Sequence, residues 1–211
     1  IGSLAMGTGA LNAANNNVAI GYGALTDLTQ GDSNVAIGRD ASANLTEAAN
    51  VITLGHNAGL SYTTVGDNIA IGGSALKLIS GGTGKNVAIG SNSMLSSGTA
   101  ADNDASQNVA IGYDSLKAIT DGDNNVVIGY ASGDAMTTTG ATVLIGYAAG
   151  GAINSTDADG TVAIGYNAGA ALTSGIGNTA IGYLALDAED DGDRNTAVGY
   201  YALSAQTGNS G

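Results

Sequence analysis

The chain has 211 residues, 35 of them glycine, and contains no Pro, Cys, Trp or Phe. Its net charge of −13, from 18 acidic and 5 basic residues, argues against nucleic acid and anionic membrane surfaces as partners. The absence of Cys excludes disulfides and thiol catalysis. A hydrophobic fraction of 44% with only 11% charged residues argues against disorder, and no apolar stretch is long enough to insert into a membrane.

A tandem repeat with the core N-V-A-I-G-Y-x-A-L runs along the chain. The glycine of this core is called the anchor glycine. Seven of the eleven spacings between successive anchor glycines are 17 residues, and the others differ by insertion or deletion. The anchors are Gly7, Gly21, Gly38, Gly55, Gly72, Gly90, Gly112, Gly129, Gly146, Gly165, Gly182 and Gly199. The whole chain, residues 1–211, is therefore interpreted as a single repeat domain.

Each repeat begins with a short strand. Its Val-x-Ile alternation has the period of two that is typical of a strand, and glycine then ends it. A second short segment is expected next, followed by a polar loop rich in Gly, Asp, Ser and Thr. Seventeen residues are too few for a helical repeat. The pattern predicts an all-β parallel β-solenoid of about twelve coils, with strands stacked ~4.8 Å apart along a rod of ~55 Å.

The alternation also predicts two faces. Val and Ile are expected to fill the interior of each coil, while Asn, Ala and Gly form a flat outer face. Since such a coil encloses little volume, a stable core is expected to need other copies of the chain. The junction of the two chain ends would read SGIGSLAMGTGAL, close to SGIGNTAIGYLAL at 174–186. Copies of this segment are therefore expected to follow one another head to tail, either as covalent repeats of a longer protein or as stacked subunits of a filament.

The core motif, in segments such as 17–25, 86–94, 108–116 and 178–186, resembles the head repeats of trimeric autotransporter adhesins (YadA-like heads) and related bacteriophage tail-fibre repeats. The resemblance covers nearly the whole chain. It implies a left-handed parallel β-roll, three chains around one axis and a role in adhesion or host contact. This sequence departs in its longer repeat and in the Tyr after the glycine, and no coiled-coil stalk or membrane anchor follows.

Residues at the same position of successive repeats form a column. Two of these columns are expected to form structural ladders, in which equivalent side chains stack along the rod. Stacked amides are predicted for Asn17, Asn34, Asn68, Asn86, Asn108, Asn125, Asn178 and Asn195. Stacked rings are predicted for Tyr113, Tyr130, Tyr147, Tyr166, Tyr183 and Tyr200. A sugar or receptor ligand on the exposed rings is the alternative interpretation. His56, the single histidine, lies in the tyrosine column and is read as a variant of it rather than as a catalytic base.

Oxygen-rich loops precede several strands and offer candidate Ca²⁺ ligands: Asp121, Asp123, Asp157, Asp159, Asp191 and Asp193. The competing interpretation is that Asp, Gly and Asn are good turn residues. No other cofactor or metal is expected. The insertions within 96–107 and 151–160 are candidate contact loops.

These observations predict a non-enzymatic structural and adhesive segment of an extracellular cell-surface fibre. The chain itself is its expected partner, as a homotrimer, with an unknown surface receptor or glycan as the ligand. A virion tail fibre that contacts a host and a self-assembling extracellular filament are the alternatives. A β-helical lyase is disfavoured because regular columns offer neither a cleft nor clustered catalytic residues. An ice-binding solenoid is disfavoured because Thr is scattered.

Overall fold

The structure is a computed structural model that describes residues 5–6, 14–100 and 103–205. These form a β-solenoid whose eleven parallel strands make one sheet in sequence order, so the all-β solenoid prediction is confirmed. The strands are β1 (Val18–Ile20), β2 (Val35–Ile37), β3 (Ile52–Leu54), β4 (Ile69–Ile71), β5 (Val87–Ile89), β6 (Val109–Ile111), β7 (Val126–Ile128), β8 (Val143–Ile145), β9 (Val162–Ile164), β10 (Thr179–Ile181) and β11 (Thr196–Val198). The first anchor, Gly7, and most of the two matching chain ends lie outside the described residues.

Neighbouring strands pair in register, so that equivalent residues of successive repeats lie side by side. Val109 pairs with Val126 and Ile111 with Ile128, for example, and every other strand pair follows the same rule. Insertions between strands are therefore absorbed in the turns, and the columns of the sequence become ladders of the structure.

The second short segment that the sequence predicts after the anchor glycine is a series of turns in every described coil. Its backbone still bonds from coil to coil: the Ala131 N–H donates to the Tyr113 carbonyl at 2.9 Å. Several of its residues, including Leu76 and Leu116, have φ near +50°, which non-glycine residues adopt infrequently. Burial of these Leu side chains offsets the conformational cost.

The assignment of the two strand faces is wrong and must be reversed. From β2 to β11 the middle residue of each strand, Ala in most coils, is buried, while the flanking Val and Ile are partly or fully exposed. The Asn four residues before the anchor is also buried in the interior, as at Asn34 and Asn108. A coil of this length is narrow, so the strand can direct only small or hydrogen-bonded side chains inward.

The interior is completed by apolar residues from the turns, four and seven positions after the anchor. Leu116 and Ile119 fill one coil, and Leu76 and Ile79 fill another, all fully buried. Each coil thus closes over its own core. The coil is small, as the sequence predicts, but its own turns supply large side chains that fill it, and the association of several copies stays a prediction.

Candidate functional site

The asparagine column forms a polar ladder inside the rod, interrupted by Val51 and by Thr142 and Thr161. The Asn108 side-chain oxygen accepts a hydrogen bond from the Asn125 backbone N–H at 2.9 Å, and the Asn108 amide donates to the Gly122 carbonyl at 2.8 Å. The same pattern recurs where the Asn34 N–H donates to the Asn17 oxygen at 2.8 Å. Each buried amide therefore ties a strand to its own turn and to the next coil, which is a structural role.

The tyrosine column is a stack of parallel exposed rings from Tyr113 to Tyr200. Successive ring centroids lie 5.1–5.4 Å apart, with interplanar angles of 4–17°. Each inner ring covers the faces of its neighbours, so the edges and hydroxyl groups face solvent. A sugar that stacks on a ring face has access to the terminal ring, Tyr200, while the rest of the ladder offers a row of hydroxyl groups.

His56 is exposed and shares its column with Arg39 in the preceding coil and Gly73 in the following one. Arg39 pairs with Asp40 at 3.1 Å. The residue that precedes His56 in the column is thus a cation and not the carboxylate that orients a catalytic imidazole.

Three of the six candidate calcium ligands each accept a backbone hydrogen bond through one carboxylate oxygen. One carboxylate oxygen of Asp123 accepts from the Ser106 N–H at 2.7 Å, Asp159 accepts from Gly140, and Asp193 accepts from Ile176. Each donor lies in the preceding coil, so these aspartates join adjacent turns. Asp121 is exposed in its turn. The structure does not bring the six aspartates together into one site.

A surface cleft of about 380 Å³ collects three of these acidic residues. It is lined by Asp157, Asp191 and Asp193 with Ser174 and Ile176, which come from the turns of three successive coils. The neighbouring Asp190 carboxylate, followed by partial desolvation, raises the pKa of Asp191.

Glu189 belongs to an acidic loop, residues 189–193, that the sequence favours for Ca²⁺, but it was not among the six aspartates named as candidate ligands; it lies beside this cleft. It stands seven residues after Gly182, where other coils place an apolar core residue, and it is fully buried. Carboxylate oxygens of Glu189, Asp190 and Asp191 lie within 4.8 Å of one another. An acid at a position that is apolar in eight repeats was the signal in the sequence that could have identified it.

The two insertions are partly folded against the rod. In the first, Asn103 donates to the Leu78 carbonyl at 2.8 Å, and Asn103, Ala105 and Ser106 are buried. Residues 97–99, Asp104 and Gln107 are the exposed part of its described portion. The second contains a short 3₁₀ turn, Thr156–Ala158, whose Ala158 is buried. The surface available for contacts is therefore smaller than the insertion lengths suggested.

The outer strand face, defined as the first and third residues of β1 to β11, is a stripe of Val and Ile with Thr or Leu at a few positions. Val18 and Ile20 are 43% and 44% exposed, and Val126 in mid-rod is 36% exposed. With strands ~4.8 Å apart and a width of two side chains, the stripe covers on the order of 500 Å². An apolar patch of that size on a monomer is often functional.

No protein family matches this chain, and no curated protein or solved structure matches it at a significant level. Across the part of the chain that the structure describes, no helix has the length and hydrophobicity needed to cross a membrane.

Proposed function

We propose that this chain is a non-enzymatic segment of an extracellular structural and adhesive fibre, and that it self-associates through the outer strand face. The observation that carries the proposal is the stripe of Val and Ile, with Leu54, Thr179 and Thr196 as its exceptions, on the outside of a rod whose interior is already complete. In an isolated chain this stripe leaves β-branched side chains in water on every strand, at a cost that association removes.

Three copies are the proposed assembly. Three flat sheet faces are the smallest number that encloses a prism around a common axis, and parallel rods bring equivalent coils to the same level. The trimeric adhesin heads that the core motif resembles support the same number. In this arrangement the outer strand face lies at the centre, and the turns remain accessible to a receptor or glycan.

The native mass of the assembly tests this proposal directly. Light scattering after size exclusion should give about three times the 20.3 kDa chain mass at low micromolar concentration. Ile111→Lys with Ile128→Lys places charges on the outer strand face without touching the coil interior, so this variant should run as a folded single chain. Thr64→Lys, in an exposed turn, is the matched control and should keep the wild-type mass.

A wild-type mass of one chain would overturn the self-association proposal, as would an Ile111→Lys, Ile128→Lys variant that stays trimeric. A very large and heterogeneous mass would favour an axial filament instead. Circular dichroism of each variant shows whether the solenoid is retained.

The adhesive role is tested separately, on the trimer. Labelled protein is applied to bacterial and host cell surfaces and to a glycan array, and retained protein is measured. Saturable retention that a glycan or surface extract competes away supports adhesion. Retention no higher than for an unrelated acidic protein of equal charge would contradict adhesion and leave a purely structural fibre role.

A further inference from the structure

Glu189 places a carboxylate in the dry interior of the solenoid. The two preceding coils carry Ile153 and Leu172 at the equivalent position, and all three side chains are fully buried. An ionised carboxylate in such surroundings is strongly disfavoured unless charge and hydrogen bonds compensate it. The protein therefore needs a compensating group at this coil that the coils with Ile or Leu do not need.

The protein supplies Glu189 with little of that compensation. Its Oε1 accepts a hydrogen bond from the Gly192 N–H at 2.7 Å, whereas its buried Oε2 has no hydrogen-bond partner. An ionised carboxylate has about four acceptor sites. Instead of a cation, the neighbouring side chains Asp190 and Asp191 bring two further carboxylates. The ion pairs among the described residues, Arg39 with Asp40 and Lys117 with Asp114, involve none of these three acids.

We propose that Glu189, Asp190 and Asp191 bind one Ca²⁺ ion. Calcium bonds to oxygen at 2.3–2.6 Å, so ligands on opposite sides of the ion lie about 4.8 Å apart. The three carboxylate oxygens already lie within 4.8 Å of one another. Buried Glu189 provides the inner ligand, and exposed Asp190 and Asp191 provide the outer ones. Asp191 also lines the open cleft, which gives water ligands room to complete six to eight bonds.

This site shares Asp191 with the loop aspartates named from the sequence, and the buried Glu189 distinguishes it from the other acidic turns. Asp123 follows a turn whose interior residue is Ile119, fully buried and apolar, and one of its oxygens binds a backbone N–H. The Asp121–Asp123 turn thus repeats the acidic surface of the site without the buried acid. It provides a matched control in the same chain.

Isothermal titration calorimetry with CaCl₂ tests the proposal. Wild-type protein, stripped with chelator, should bind one Ca²⁺ per chain, and its melting temperature should rise with the ion. Glu189→Leu restores the apolar column and should fold, yet it should weaken Ca²⁺ binding at least tenfold. Asp191→Asn, at an exposed position, should weaken binding as well. Asp121→Asn should bind like wild type.

Several results would overturn the proposal. These are no Ca²⁺ binding by the wild type at millimolar concentration, unchanged binding in Glu189→Leu, or equal loss in Asp121→Asn. Mg²⁺ bound as tightly as Ca²⁺ would overturn the choice of ion, since Mg²⁺ requires a near-ideal octahedron. Stabilisation of the protein on acidification, with no Ca²⁺ binding, would overturn the proposal as well. The test is independent of oligomeric state.

Discussion

The anchor glycines bring successive coils into backbone contact, which makes Gly129→Ala a sensitive test of the fold. Gly129 has φ +144°, and a Cβ built on it would lie 2.0 Å from the Gly146 carbonyl oxygen of the next coil. The backbone conformation alone costs an L-residue about 1–3 kcal/mol. The contact is with backbone and not with a movable side chain, so the coils must separate.

Separation strains the hydrogen bonds that join the two coils, including the one from the Gly146 N–H to the Ile128 carbonyl at 2.8 Å. Loss of two or three such bonds costs about 1 kcal/mol each. Gly129→Ala should therefore reduce the free energy of unfolding by about 3–6 kcal/mol.

Gly199→Ala and Gly177→Ala separate the two contributions. Gly199 has the same unusual φ, +133°, but its Cβ would meet nothing closer than Ala202 at 3.9 Å, so about 1–3 kcal/mol is expected. Gly177, at φ +65° with open space, lies in a column where Ala141 already adopts φ +54°, so about 1 kcal/mol or less is expected.

Urea denaturation followed by circular dichroism gives these free energies, and hydrogen exchange shows whether the loss centres on the substituted coil. Local measurement matters because a solenoid can unfold in segments. Equal losses for Gly129→Ala and Gly199→Ala would refute the close-approach explanation and leave backbone conformation as the whole effect.

Three further substitutions test the interior. Asn108→Ala should destabilise the protein by about 3 kcal/mol in urea denaturation, because it leaves a buried N–H and a buried carbonyl without partners; a loss below about 1 kcal/mol would contradict the ladder's importance. Tyr62→Phe should stabilise by about 1 kcal/mol, measured as a higher urea midpoint, because the buried Tyr62 hydroxyl has no partner. Leu144→Ala should cost about 2–5 kcal/mol, and adding Gly150→Leu should restore at least half of it in a double-mutant cycle; independent, additive losses would refute the compensation between these two positions.

The sequence was sufficient to predict the coil period, the strand in each repeat and the parallel stacking, because in-register ladders require the columns to keep their character. The sequence pattern led to a wrong prediction of which face of the strand points into the coil. Hydrophobicity favours Val and Ile as core, but a coil of 17 residues has no room opposite the strand for two β-branched columns. The Asn column, with members such as Asn34 and Asn125, lies two residues before the Ala column. Both columns therefore point to the same face of the strand, and the hydrogen bonds of the Asn side chains to turn carbonyls place that face inside.

The candidate site was also predicted only in part from the sequence. Acidic turns were visible in the sequence, but composition could not distinguish Asp159, which bonds to a backbone N–H, from Asp191, which lines the cleft. The burial of Glu189 follows from its position within the coil, seven residues after Gly182, where most other coils place an apolar side chain. Surface charge is therefore a weaker guide to this protein than a departure from the pattern within one column.

Volume compensation between columns explains how a repeat this regular tolerates substitutions. Where the middle strand residue is large, as at Leu144, the turn residues facing it are Gly133 and Gly150, whose Cβ atoms would lie 2.9 and 2.8 Å from the Leu144 methyl groups. Where the strand residue is Ala, the turn supplies Leu or Met in most coils, as at Leu116, whereas the coils of Ala36 and Ala163 have Ser42 and Gly169 there. A large side chain on the strand is matched by a small one in the turn of the same or the neighbouring coil. The residues of the interior can therefore vary while the backbone hydrogen bonds between coils stay the same. The outer strand face has no such internal partner. Its Val and Ile repeat with little change along the rod, as expected if their packing partners lie on another chain.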